Sequence, residues 1–445
     1  MWHRFSSSKL KLRTSGLGLG FLKRSFSVES GKRFAALWGN GDYGRLGLGD
    51  LNSQWEPAIC TSFHNQNLKA IACGGAHTLF LTDNGCVYAT GLNDFGQLGI
   101  SESKQYSVVP LQVFGHEKKV VHISAGYNHS SAITVDGELY MWGKNTAGQL
   151  GLGKRAPNIV PLPTKVDYLD GITIKMAALG SEHSVAISDG GEAFSWGMGV
   201  SGRLGHGHES SILGFFKSYS EYTPRLIKDL EGIKVKNVAA GMLTSACTDE
   251  NGSVFIFGEK GVDKLVSAIS ILFTASMLLL VMTNIFFNQH IQLLKEMSNA
   301  TKPSLIRELP YAEEVACGGY HTCVLTNFGE LYTWGSNENG CLGIGSSYAI
   351  HLPEKVQGPF LESSVVQVSC GWKHTAAISG GRVFTWGWGG SNGTFSDDGH
   401  SSGGQLGHGS DVDCINPSRV CFADDVKALQ VSCGFNHTGA ILEYA

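Results

Sequence analysis

Six histidines stand first among the side chains that could carry chemistry: His77, His129, His183, His321, His374 and His437. Imidazole is a common metal ligand and the usual acid or base near neutral pH. Each of the six closes one short element, Gly-x-x-His-Thr/Ser, and a seventh copy, Gly241-Met-Leu-Thr244, carries threonine instead. Recurrence at one place in a repeat points to architecture. Equivalent positions spread around a ring would lie too far apart for a single ion, and zinc demands clustered ligands. The six are therefore expected to make structural hydrogen bonds within each unit, and no metal site is expected.

Cysteine reads the same way. Cys73, Cys317, Cys370 and Cys433 precede the signature glycine, where Ala125 and Ala240 stand in other units, so they read as small buried residues. The rest of the 11, Cys60, Cys86, Cys247, Cys323, Cys341, Cys414 and Cys421, show no Cys-x-x-Cys spacing, and the total is odd. Neither a zinc site nor a disulfide framework is indicated. The chain also lacks a Gly-x-Ser-x-Gly elbow, a phosphate-binding loop and a His-Glu-x-x-His pair. A non-enzymatic protein without a cofactor is the expectation.

The elements that must hold these residues repeat with them. The fullest unit runs Ile123-Ser-Ala-Gly126-Tyr-Asn-His129-Ser, then Val135-Asp-Gly137-Glu-Leu-Tyr140-Met-Trp142-Gly143, then Gly148-Gln149-Leu150-Gly151. Turn dipeptides such as Asn84-Gly85 and Asp136-Gly137 precede alternating apolar and polar residues, the pattern of a hairpin strand. The Trp-Gly element recurs at Trp38, Trp142, Trp196, Trp334 and Trp386, with Thr90 and Phe257 as degenerate copies. Glycine, at 59 of 445 residues, is about twice its ordinary share of roughly 7%, which suits so many reverse turns.

The chain enters on a Trp-Gly half-unit, residues 37–49, and leaves on a Gly-x-x-His half-unit, residues 431–442. Together the halves complete one unit, which a closed ring needs if it is to leave no exposed sheet edge at its ends. The sequence thus predicts an all-β fold over residues 34–442: a seven-bladed β-propeller closed by pairing of the N- and C-terminal strands. The paired Gly-x-x-His-Thr and Trp-Gly-x-Asn-x-x-Gly-Gln-Leu-Gly elements resemble the regulator of chromosome condensation family of propeller repeats. The resemblance covers about residues 35 to 442, apart from one interruption.

Two segments stand outside the repeat. Residues 1–26 contain Arg4, Lys9, Lys11, Arg13, Lys23 and Arg24, many serines and no acid, the composition of a mitochondrial transit peptide. Arg24-Ser25-Phe26 resembles a plant mitochondrial cleavage site, which would make Ser27 the first mature residue. Loss of those six charges would take the formal net charge from −4 to −10, leaving little for counterion-driven binding to phosphate backbones. RNA contact is expected to be indirect.

Residues 265–287, LVSAISILFTASMLLLVMTNIFF, are long and apolar enough to span a bilayer. Yet they break a unit in mid-motif. The segment 257–265 matches 142–150 up to Leu265, and Val266 then replaces the expected glycine. The apolar insertion over 266–295 is read as a retained intron, with the repeat resuming near Glu296 in an inter-blade loop. A membrane anchor looping out of one blade, or an apolar hairpin packed on the ring, is the alternative.

Function is expected where units deviate. One expansion, after Gly205, holds Phe215, Phe216 and Tyr219; another, after Trp386-Gly387, holds Trp388, Phe395, Asp397, Asp398 and His400. Aromatic residues in Gly/Ser-rich loops favour contact with a protein partner.

Three branches of the resembled family imply different roles. The nuclear exchange factor implies nucleotide release from a small GTPase through a loop and acidic residues at one face, with Asp397 and Asp398 as candidates. The ultraviolet-B photoreceptor branch implies clustered tryptophans directly after the signature glycine. Gly75, Tyr127, Ser181, Met242, Gly319, Trp372 and Phe435 stand there, and one tryptophan makes no cluster. Plant mitochondrial relatives share the presequence, the repeat and Trp386-Gly-Trp388-Gly-Gly. They imply a matrix scaffold or adaptor that works with organellar splicing factors on an NADH dehydrogenase subunit transcript, and so in complex I biogenesis. A nuclear or cytoplasmic location is the alternative to the matrix.

Overall fold

A computed structural model describes residues 31–113, 118–207, 220–259, 300–390, 403–423 and 425–445. Residues 1–26, the apolar run 265–287, and Phe215, Phe216, Tyr219, Phe395, Asp397, Asp398 and His400 lie outside them. The described residues form seven four-stranded antiparallel sheets arranged as the blades of a propeller. Blade I runs outward from the axis through Leu68–Cys73, His77–Thr82, Val87–Leu92 and Tyr106–Gln112. Blades II to VI repeat this order, with inner strands Val120–Ala125, Ile174–Leu179, Val235–Ala240, Ala312–Cys317 and Val365–Cys370.

Blade VII is assembled from both ends of the chain. Its inner strands, Val426–Cys433 and His437–Tyr444, come from the C-terminus; its outer ones, Arg33–Gly39 and Gln54–Ile59, come from the N-terminus. Arg33–Gly39 pairs with His437–Tyr444 in unbroken register from Arg33↔Glu443 to Gly39↔His437. An ion pair, Arg33 Nε to Glu443 Oε1 at 3.3 Å, and stacked Phe34 and Tyr444 rings, 4.4 Å apart, support the seam. This is the closure that the two half-units predict.

Every outer strand carries proline: Pro57, Pro110, Pro161 with Pro163, Pro224, Pro303, Pro353 and Pro417. Proline has no N–H to donate, so within sheets it belongs on edges, where it also deters pairing with another chain. Register shifts between third and outer strands in all seven blades twist the edge further. One reading is corrected here. Residues 300–306 are the outer strand of blade IV, paired to Val254–Gly258, and not part of an inter-blade loop.

The core is divided among the blade interfaces. Trp142 of blade II packs with Leu79, Leu81 and Val87 of blade I, and Trp196 of blade III with Ile133, Leu139 and Met141 of blade II. Trp334, Trp386 and Trp38 do the same one interface further on, while Phe257 fills the place at the III/IV interface. The glycine after each tryptophan or its substitute has φ between 101° and 115°. A Cβ on Gly143 would sit 2.6 Å from Asn128 O, so strain and crowding both demand glycine.

Strand direction fixes which connections share a face. The first residue of the second strand pairs with the last of the third, as in His183↔Gly197 and His321↔Gly335. The inner-to-second turns and the third-to-outer connections therefore leave the ring together, on what is called the axial face below. Segments 208–219, 260–299 and 391–402 all fall within third-to-outer connections, of blades III, IV and VI.

Candidate partner-binding face

The histidines open the second strand of six of the seven blades and are buried. Their partners lie across the interface, which corrects the expectation of bonds within a unit. His77 Nε2 meets Ser130 Oγ of blade II at 2.9 Å; His129 meets Ser184, His183 Ser245, His321 Thr375, His374 Thr438 and His437 Thr78. Each hydroxyl in turn donates to a main-chain carbonyl of the histidine's blade or its loop, as Ser130 does to Gln97 O at 2.8 Å. A hydroxyl has one hydrogen, so the imidazole must donate from Nε2, which fixes the tautomer. Trp142 Nε1 reaches the same Gln97 oxygen at 2.9 Å, and Trp196, Trp386 and Trp38 repeat the arrangement.

These clamps also silence the imidazoles as acids or bases. Burial holds His77, His129 and His374 at about 3 and His321 at about 4. His183 and His437 are pushed well down for the same reason. At the IV/V interface Thr244 replaces histidine and turns its hydroxyl to Glu259 O at 2.6 Å. Among the described residues no imidazole clamps Thr322 there.

At the axis the signature glycines converge. A Cβ on Gly126 would lie 2.7 Å from Gly180 O, and the turns surround an open cavity of about 100 Å³. Its rim carries the residues that follow each signature glycine. Three of them are aromatic, and they join. Trp372 stacks on Phe435 at 4.3 Å with planes 9° apart, Tyr127 meets Phe435 edge-on at 5.2 Å, and Trp388 meets Trp372 edge-on at 5.6 Å. Trp388, foreseen as a contact residue, thus stands at the root of segment 391–402 beside this cluster.

Polar groups surround the rings. Lys373 lies over Trp372 at 5.0 Å and pairs with Glu338 at 3.0 Å. Trp372 Nε1 and Asn436 Oδ1 are buried with no hydrogen-bond partner among the described residues. Arg45 and Arg203 take the place of Gln97 and Gln149 in their loops and reach the rim from below: Arg45 Nη1 to Gly75 O at 3.3 Å, Arg203 Nη1 to Met242 O at 3.0 Å. Among the described residues neither guanidinium has a carboxylate within 4.0 Å. Burial lowers both to about 10, so both stay charged at neutral pH.

The axial face thus brings together a platform of clustered aromatic rings, the buried Trp372 Nε1 and Asn436 Oδ1, and the buried guanidinium groups of Arg45 and Arg203. Sequence reasoning missed the platform because it compared the rim positions only for tryptophan. The signal was present in Tyr127, Trp372 and Phe435 as three aromatics in one aligned column. A second group was missed too. His321, Cys323 and Cys370 bring their ligand atoms within 4.8 Å of one another on the inner wall.

A family model described as the RCC1-like domain matches residues 34–440. The ultraviolet-B receptor UVR8 of Arabidopsis thaliana is 31% identical over 381 residues, 84% of this chain and 75% of the receptor. The mitochondrial RCC1 domain-containing protein RUG3 of the same plant is 30% identical over 318 residues, 69% of this chain and 62% of that protein. Similarity also extends to the human E3 ubiquitin-protein ligase HERC2, of whose length the chain spans 8%. Among solved structures, Prp20p from Saccharomyces cerevisiae superimposes with a TM-score of 0.72 at 22% identity, covering 94% of this chain and 93% of that one. No described helix is long and apolar enough to cross a membrane.

Proposed function

The chain belongs to the RCC1-like domain family, and on that premise we propose that it is a non-enzymatic scaffold whose axial face binds a protein partner. The observation that carries this reading is convergence. The aromatic platform Tyr127, Phe435, Trp372 and Trp388 and the described ends of the long third-to-outer connections of blades III, IV and VI all lie on one face. Central aromatic anchors supply most of the binding energy in protein interfaces, while surrounding loops exclude water and set specificity.

Mitochondria are the proposed setting, supported by the basic, acid-free residues 1–26 and the similarity to RUG3. The finer reading is a matrix adaptor that brings splicing factors to an NADH dehydrogenase subunit transcript. Protein contact fits this role better than direct RNA contact, because the formal net charge is negative. Proximity labelling from the full-length protein in plant mitochondria tests it. Recovery of splicing factors, lost when Trp372 and Phe435 are both changed to alanine, is the expected result. A catch confined to cytosol or nucleus overturns the setting, and an unchanged catch overturns the face.

A second reading, nucleotide exchange on a small GTPase, rests on Asp397 and Asp398 in a connection that leaves from the same face. Accelerated GDP release from a small GTPase, abolished by reversing both charges, would replace the scaffold reading.

A further inference from the structure

We propose that His321, Cys323 and Cys370 form a zinc site that joins blade V to blade VI. One ring nitrogen of His321 and the two sulfurs lie mutually within 4.8 Å. His321 and Cys323 are two apart on the second strand of blade V, His321–Thr326, and so share a side. Cys370 ends the inner strand of blade VI. Three ligands from two blades thus meet at one interface.

The other interfaces are an internal control. The same two places hold Leu79 and Ala125, Ser131 and Leu179, Val185 and Ala240, Ala246 and Cys317, Ala376 and Cys433, and Gly439 and Cys73. That these places face each other is visible at the last pair, where a Cβ on Gly439 would lie 3.2 Å from the Cys73 sulfur. Packing alone is met there with apolar or small residues. Only the V/VI interface puts a thiol at both places, beside a histidine of the kind that five other interfaces also carry.

Chemistry selects the ion. Two thiolates and a neutral imidazole form a soft set, which favours zinc over calcium or magnesium. Two thiolates also cancel a dication, so the loaded site carries no net charge into a dry interior. Binding releases two thiol protons. A fourth ligand and an entry path are at hand, because Cys370 also lines the axial cavity of about 100 Å³, roomy enough for water. The link would brace the ring one interface away from the place where Thr244 leaves a clamp unmade.

The test uses the full-length protein purified without a polyhistidine tag, stripped with a chelator and titrated with Zn²⁺ and with Co²⁺ as a spectroscopic substitute. About one zinc per chain is expected, with a sulfur-to-cobalt charge-transfer band and a higher melting temperature for the zinc form. Cys323→Ala and Cys370→Ala copy Ala376 and Ala125 of other blades, so they should keep the fold by circular dichroism while losing the band and the zinc-induced rise. Cys433→Ala should keep both. Absence of the charge-transfer band from the native protein overturns the proposal whatever the variants do. So does equal zinc binding by Cys323→Ala.

Discussion

The clamp histidines tie stability to pH. Their pKa values in the folded ring lie at about 3 to 4 or below, against 6.5 for a free imidazole. Below about pH 6.5 the unfolded chain takes up protons that the folded ring refuses. The stability present above that pH is lost progressively as pH falls toward 4, by about 1.4 kcal/mol per pH unit for each histidine. Melting temperatures measured from pH 7 to pH 5 should drop steeply, and replacing one clamp histidine with glutamine should lower the pH 7 value while flattening the slope. Trp386→Ala, which empties a fully buried site and removes a bond to Cys341 O at 2.9 Å, should cost about 3–5 kcal/mol in denaturant unfolding. At this scale the sequence marked which residues recur, but not whom they touch. A repeat aligns equivalent positions within units, whereas His77 and Ser130 belong to different units and meet only once the ring has formed.

Connections between third and outer strands are where the chain varies, and they can vary because the strands beneath are held by neighbouring blades. Reversing both charges at Asp397 and Asp398, or changing Phe215 and Phe216 to alanine, should weaken partner capture at least tenfold in a pulldown titration while moving the melting temperature by less than about 2 °C. A larger shift would make these segments structural. Inner, second and third strands were legible in advance from turn dipeptides and alternating side chains. Outer strands were not, as residues 300–306 illustrate. Ala300–Ile306 alternates weakly, includes Pro303, and follows a long interruption, so it reads as a loop. Proline was in fact the usable marker, since 8 of the 11 lie on outer strands. Its missing N–H matters least where no further strand pairs.

For the whole molecule the termini decide integrity. Truncation after Asn436 removes His437–Tyr444 and leaves Arg33–Gly39 without its inner neighbour. Such a chain should lose its cooperative melt in calorimetry. A circular permutant that joins residue 445 to residue 31 and opens within 391–402 should keep it, because Gly31 N already donates to Tyr444 O at 2.9 Å. Ring closure was the most legible global feature, written in two complementary half-units. The division of the core into interface cores was not, because each tryptophan is coded in one blade and buried with residues of the one before.

The seam has a further consequence for how the protein comes into being. Arg33–Gly39 pairs with His437–Tyr444, so an early edge waits unpaired until the six intervening blades have emerged. Contacts of such separation slow folding, and the interim exposes strand edges to foreign partners. Newly made chains stalled before His437 are therefore expected to engage chaperones and be cleared by proteases rather than persist as partial propellers.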